Sequence, residues 1–235
     1  MNRVKKLSES DLAGPLVVAT VHSPAGARLA ASLGRGEVDL LEIRVDALAG
    51  KLAEVRTLLA STKLPILLTV RHPAEGGIGN LSAASRKKLL GEFLPAATFL
   101  DVELRSVAAM REVIAAAKAR GIRVVISDHH FRGTPTLAQM RARRQRAFAA
   151  GADIFKLACL ADEAGSVARL IDFVSEKKRG PLAVMGMGKL GQVSRLVLAC
   201  AGSVLNYGYL DRPNAPGQWE ARELKELLRK LRVGR

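Results

Sequence analysis

The chain has 235 residues, 49% of them hydrophobic, and its 37 Lys and Arg outnumber 22 Asp and Glu for a formal net charge of +15. No linker or low-complexity stretch divides it, so residues 1–235 are expected to form a single α/β domain with a large core. No run is apolar for long enough to span a bilayer, and the basic start from Met1 to Asp11 has no apolar stretch behind it, which predicts a soluble, cytoplasmic protein with no membrane partner.

Cys159 and Cys200 match neither a CxxC nor a zinc spacing and read as reduced thiols. Arg141, Arg143, Arg144 and Arg146 crowd one segment, but no RRM, helix-turn-helix or interleaved-aromatic pattern accompanies them. No nucleic-acid partner is therefore expected. The basic surplus suits solvated helix faces, and it would draw in a small anionic substrate.

Apolar strand-like runs recur at Leu16 to Val21, Val38 to Asp46, Pro65 to Arg71, Thr98 to Leu104, Arg123 to His129, Asp153 to Cys159, Pro181 to Met187 and Ser203 to Tyr209. Helical periodicity or composition lies between them at Leu89 to Phe93, Val107 to Arg120, Thr136 to Ala150, Val167 to Lys177 and Val193 to Ala201, with a last helix from Gln218 to Leu231. This alternation predicts a (β/α)8 TIM barrel, with a doubly wound open sheet as the alternative.

Period-two parity says which side chains line such a barrel. In the second run Leu41, Ile43 and Val45 share one face and Glu42, Arg44 and Asp46 the other; in the fourth, Leu100, Val102 and Leu104 lie opposite Asp101 and Glu103. A covering helix takes the apolar face, so the polar face must line the barrel. Thr69, Arg71, Ser127, His129, Met185 and Met187 are further inward candidates near strand ends, where barrels of this kind build their active sites.

Lys156 stands out in Asp153-Ile154-Phe155-Lys156-Leu157-Ala158-Cys159, because an ammonium in an apolar strand is costly unless paired or neutral. Pairing with Glu42, Asp101 or Glu103 would balance it, while burial and cations such as Arg44 or Arg71 would leave neutral amine for attack on a ketone. Gly186-Met187-Gly188-Lys189-Leu190-Gly191 satisfies GxGxxG with Asp211 about twenty residues on, but too little chain follows to complete a dinucleotide fold. Asp128-His129-His130 offers metal-ligand types, yet adjacent strand residues point to opposite faces, so no metal site is expected. A lone inward imidazole beside a buried lysine suits metal-free proton transfer. These residues predict a barrel with an imine-forming lysine; aldol cleavage, dehydration and isomerisation stay open.

The polar strand ends together resemble the type I 3-dehydroquinate dehydratase family. Glu42-Ile43-Arg44-Val45-Asp46 resembles its ExRxD strand, Arg71 with Glu75 before Gly76-Gly77 its arginine and glutamate, and Asp101-Val102-Glu103 its DxE strand. His129 and Phe131 resemble its catalytic histidine segment, and Lys156 falls where its imine-forming lysine belongs. Met185-Gly186-Met187-Gly188 leading through Gly191 to Ser194-Arg195 resembles MxMxxxGxxSR, and Ala215-Pro216-Gly217-Gln218 resembles part of SAPGQ. His130 departs from a usual aspartate, Asn214 from the serine, and Tyr207 from a common phenylalanine.

The resemblance implies dehydration of 3-dehydroquinate in the shikimate pathway, with Lys156 as nucleophile, His129 as acid and base, and Glu75 orienting His129. It also implies a substrate grip by Glu42, Arg44, Arg71, Arg195, Asn214, Gln218 and Met187, no cofactor or metal, a homodimer, and a loop from Asn214 to Gln218 that closes over the mouth. A class I aldolase is the rival enzyme, although Tyr207 to Pro213 offers little of the phosphate cradle it needs. The second rival is a basic nucleic-acid-binding protein.

Overall fold

The computed structural model describes residues 14–176 and 180–231. Met1 to Asp11 and Lys177 therefore lie outside the described residues. Eight strands run β1 (Leu16–Val21), β2 (Leu40–Arg44), β3 (Ile66–Thr69), β4 (Phe99–Glu103), β5 (Arg123–His130), β6 (Ile154–Leu160), β7 (Leu182–Met187) and β8 (Leu205–Tyr209). The helices are α1 (Pro24–Ala30), α2 (Leu52–Ser61), α3 (Ala83–Phe93), α4 (Arg111–Ala119), α5 (Leu137–Ala149), α6 (Ala164–Val174), α7 (Gly191–Ala201) and α8 (Ala221–Lys230). Every ladder is parallel, in the order β7-β6-β5-β4-β3-β2-β1-β8. The expected (β/α)8 barrel is the observed architecture.

Helix ends follow local chemistry. Thr136 caps α5 in a reciprocal capping box with Gln139, and α7 stops at Gly202, whose φ of 115° is strained for a residue with a side chain. Between the sheet and the helices lies one apolar layer that includes Leu41, Ile43, Leu100, Val102, Phe155 and Leu157. A second, smaller core fills the inside of the barrel: Val18, Leu40, Leu67, Phe99, Val125, Ile154, Ala183 and Leu205, one residue from each strand. Two residues further along each strand, the same face carries Thr20, Glu42, Thr69, Asp101, Ser127, Lys156, Met185 and Tyr207. The barrel is thus plugged with hydrocarbon at one level and lined with chemistry at the next.

The seam between β7 and β8 is closed by few bonds. Val204 N–H donates to Leu182 O at 2.8 Å, while Ser203 Oγ accepts from Val184 N–H at 2.9 Å and donates to Val184 O at 3.2 Å. Ser203 is 1% exposed, so water cannot replace these bonds if the hydroxyl is removed. Ser203→Ala is expected to cost about 1–3 kcal/mol, read as a lower denaturant midpoint at unchanged m-value. An unchanged midpoint would show that the seam is held by other contacts.

Candidate active site

The C-terminal ends of the strands surround one cavity, and Glu42, Arg44, Arg71, Glu75, His129, Lys156, Met187, Arg195, Asn214 and Gln218 all line it. All of the site residues expected from the sequence are therefore brought together. Parity places them: Glu42 and Arg44 on β2, His129 on β5, Lys156 on β6 and Met187 on β7. The others come from loops and from α7, just beyond the strand ends.

Lys156 Nζ lies 3.2 Å from Asp101 Oδ2, 3.6 Å from Glu42 Oε1 and 4.0 Å from the centroid of the Tyr207 ring. The lysine is thus paired, as its burial requires, yet it still borders the cavity. Glu103 does not serve it. Arg71 and Arg86 take that carboxylate, and Arg86 reaches it from α3 while also donating to Val70 O at 2.9 Å and to Ser106 Oγ at 3.1 Å.

Arg71 donates to Asp101 through both terminal nitrogens, at 2.8 and 3.0 Å, and to Glu103 and Ser127 at 3.1 and 2.7 Å. Burial alone would lower Arg71, but Asp101 and Glu103 outweigh it and hold the guanidinium even more firmly charged. Burial would likewise raise Asp101, yet Arg71 and Lys156 keep it well below the usual carboxylate range. Glu42 is oriented by two hydroxyls, Thr20 at 3.1 Å and Thr69 at 3.0 Å.

Arg44 binds Asp46 through Nε and Nη2 at 3.0 and 2.8 Å and gives Nη2 to Gly76 O at 2.9 Å, which leaves Nη1 for a ligand. Arg195 is different. Its Nε donates to Gly217 O at 3.1 Å and its Nη1 to Tyr207 O at 3.0 Å, and among the described residues no carboxylate lies within 4.0 Å. Burial pushes it down to about 10. A buried guanidinium facing only carbonyls is a receptor for an anion, and its fork geometry suits a carboxylate.

His129 Nδ1 meets Glu75 Oε2 at 2.8 Å, so Nε2 is the nitrogen available to a ligand. Burial lowers His129 well below its ordinary range, with Arg71 and Lys156 adding to the effect. Burial also pushes Glu75 up to about 8, against the pull of Arg71. Burial thus disfavours charge on either partner of the pair. His130 turns to the opposite face and binds Asp128 at 2.9 Å, so the two histidines do not converge, as strand parity predicts. Among the described residues no group of three or more His, Cys, Asp or Glu is arranged to hold a metal ion.

The Gly-rich turn after β7 is used for close packing. A Cβ on Gly191 would lie 2.7 Å from Gly217 Cα, and Gly217 has φ of 72°. This contact seats the loop around Asn214 to Gln218 on the start of α7. Gln218 Oε1 accepts from Asn214 N–H at 2.8 Å and Ala215 N–H at 3.2 Å, so Gln218 shapes the loop as well as lining the cavity. Asp211 binds Ser23 Oγ, tying the loop after β8 to the start of α1. The arginine-rich segment is also engaged: Arg141 and Arg144 pair with Glu176 and Arg143 with Asp128.

The sequence reading did not single out Thr20 or Arg86. Thr20 shares its strand face with Val18, so parity could have found it; Arg86 sits in Arg86-Lys87-Lys88, which looks like an ordinary solvated helix face.

The sequence profile described as Type I 3-dehydroquinase matches residues 16–235. A 3-dehydroquinate dehydratase of Methanocella arvoryzae is 37% identical over 218 residues, covering 92% of this chain and 97% of that relative. The crystal structure of 3-dehydroquinate dehydratase from Geobacillus kaustophilus superposes with a TM-score of 0.82 at 28% identity, covering 93% of this chain and 91% of that one. The type I 3-dehydroquinate dehydratase of Clostridium difficile, solved with covalently modified comenic acid, gives 0.81 at 26% identity, with 93% of each chain covered. With the profile spanning the barrel and its whole polar lining, the chain belongs to the type I 3-dehydroquinase family.

Proposed function

We propose that this protein dehydrates 3-dehydroquinate to 3-dehydroshikimate through a Schiff base on Lys156. The observation that carries this reading is a buried amine held by Asp101 in the same cavity as a hydrogen-bonded His129–Glu75 pair and an Arg195 with no carboxylate partner among the described residues. Arg195 binds the substrate carboxylate, while Glu42 and Arg44 grip its hydroxyls; Arg71 contributes mainly by holding Asp101. Asn214, Gln218 and Met187 complete the wall, Met187 as an apolar face against the ring. The substrate is a small anion, and the loop from Asn214 to Gln218 limits water around it. A homodimer and a cytoplasmic location belong to the same reading. Among the described residues no helix is long and apolar enough to cross a membrane.

Lys156, as neutral amine, adds to the C3 ketone; the carbinolamine loses water, and the nitrogen becomes a protonated imine. His129 Nε2 then removes a C2 proton, and the electron pair moves into the imine to give an enamine. The enamine returns the pair and expels the C1 hydroxyl, which His129 protonates. Hydrolysis of the conjugated imine frees product and lysine. Glu75, as carboxylate, accepts the Nδ1–H of His129 and so fixes the tautomer; when Nε2 takes the C2 proton the pair becomes neutral overall, and burial makes the Glu75 carboxyl hold a proton readily.

Purified protein incubated with 3-dehydroquinate should develop the absorbance of a conjugated enone, and borohydride should trap an adduct that maps to Lys156. No enone, or an adduct on another lysine, would sink the reading. His129→Ala should lower turnover by at least about a hundredfold while leaving the adduct trappable.

Since His129 is lowered in the folded protein, its neutral form persists below the ordinary histidine range, so the acid limb of kcat should have its midpoint below pH 6.5. A midpoint at 6.5 or above would contradict the buried, cation-flanked environment. Glu75 carries the opposite sign for stability. Its folded value of about 8 exceeds the unfolded value, so the stability it contributes is present at low pH and declines as pH rises toward 8. Glu75→Gln should therefore be more stable than the parent at pH 7.5, by about 1–3 kcal/mol, and no more stable at pH 4, with turnover reduced.

A further inference from the structure

The Lys156 nitrogen has three neighbours of two kinds: the carboxylates of Asp101 and Glu42, and the face of Tyr207. They do not survive the reaction equally. An ammonium has three N–H groups and can satisfy both carboxylates, whereas a protonated imine has one N–H and a fixed plane. The ring makes no such demand. Its negative face attracts positive charge without a hydrogen bond, and a distance of 4.0 Å is well within the range of that attraction.

We propose that the Tyr207 ring is a catalytic surface, the one partner that stays with the Lys156 nitrogen through each cationic stage and keeps the protonated imine populated. This rests on the imine chemistry proposed above and adds a residue to it. Tyr207 is 2% exposed, on the inward face of β8 one step above Leu205, so the attraction acts away from water, where it is strongest. Burial raises the phenol well above its usual range, with Glu42 and Asp101 adding to the effect, so the ring stays neutral and its face remains available to a cation. The phenol oxygen is buried and has no hydrogen-bond partner among the described residues, so no contact of the hydroxyl accounts for an aromatic ring here.

When the C–N bond forms and water departs, positive charge sits on the nitrogen above the ring. It is discharged when the C2 electrons move in and the proton passes to His129, and restored when the hydroxyl leaves. The ring therefore favours the charged imine over both the neutral amine that adds to the carbonyl and the neutral enamine. Its loss should show first in imine occupancy.

The test is borohydride trapping at one sub-saturating concentration of 3-dehydroshikimate, with the fraction of Lys156 adduct read by mass spectrometry. Tyr207→Phe keeps the ring and should stay within about twofold of the parent, while Tyr207→Leu should fall about tenfold. Since Tyr207→Leu changes packing as well, the deciding series places progressively fluorinated phenylalanines at position 207. These keep the shape and weaken the negative face, so occupancy should fall stepwise with fluorination. A parent that traps normally while occupancy ignores fluorination overturns the role of the ring alone. A parent that traps nothing overturns both this and the imine reading.

Discussion

Arg71 is the constraint on which the site depends. A guanidinium cannot shed its charge, so one placed inside a barrel must be surrounded by acids, and Asp101, Glu103 and Glu42 surround this one. Once Asp101 is fixed by two bonds to Arg71 and a third to Ser127, it can stand as an ionised carboxylate next to Lys156. The second oxygen of Glu103 then needs its own cation, which Arg86 supplies from the helix layer. Charge balance thus runs from a helix, through the sheet, to the amine. Removing one member would leave its partners buried and uncompensated, which costs far more than the pairs contribute net.

The same geometry explains how a densely packed protein keeps room for chemistry. A step of two residues along six of the eight strands moves from the hydrocarbon plug to a polar side chain of the lining, without leaving the strand. The plug excludes water from one side, and the loops after the strands control the other. Between them the electrostatic interactions act at short range in a medium that screens them weakly.

Much of this was legible in the sequence because strand parity is strict. Glu42, Asp101, Lys156 and His129 could be assigned to the inward face by counting in twos, and the structure keeps each assignment. Boundaries were less exact: β2 is shorter than Val38 to Asp46, since Asp46 turns to accept the backbone N–H groups of Arg71 and Ile78. The helices α1 and α2 were not visible, because α1 is seven residues long with a proline at its start and α2 buries only Val55 and Leu58, too few to set a period. Arg86 escaped for a different reason. A helix residue that reaches over the strand ends to a buried carboxylate is marked by its partner on β4, and the sequence of α3 holds no trace of that partner.

Arg195 divides the handling of an anion into two regimes. The surplus of basic residues on the surface acts over a Debye length and fades as salt rises, so it governs how often an anion arrives. Arg195 is 2% exposed and faces only carbonyl oxygens, where the diffuse ion atmosphere screens it weakly. Its hold on a carboxylate is accordingly less sensitive to ionic strength than the encounter. Encounter belongs to the solvent and its salts; retention belongs to the fold.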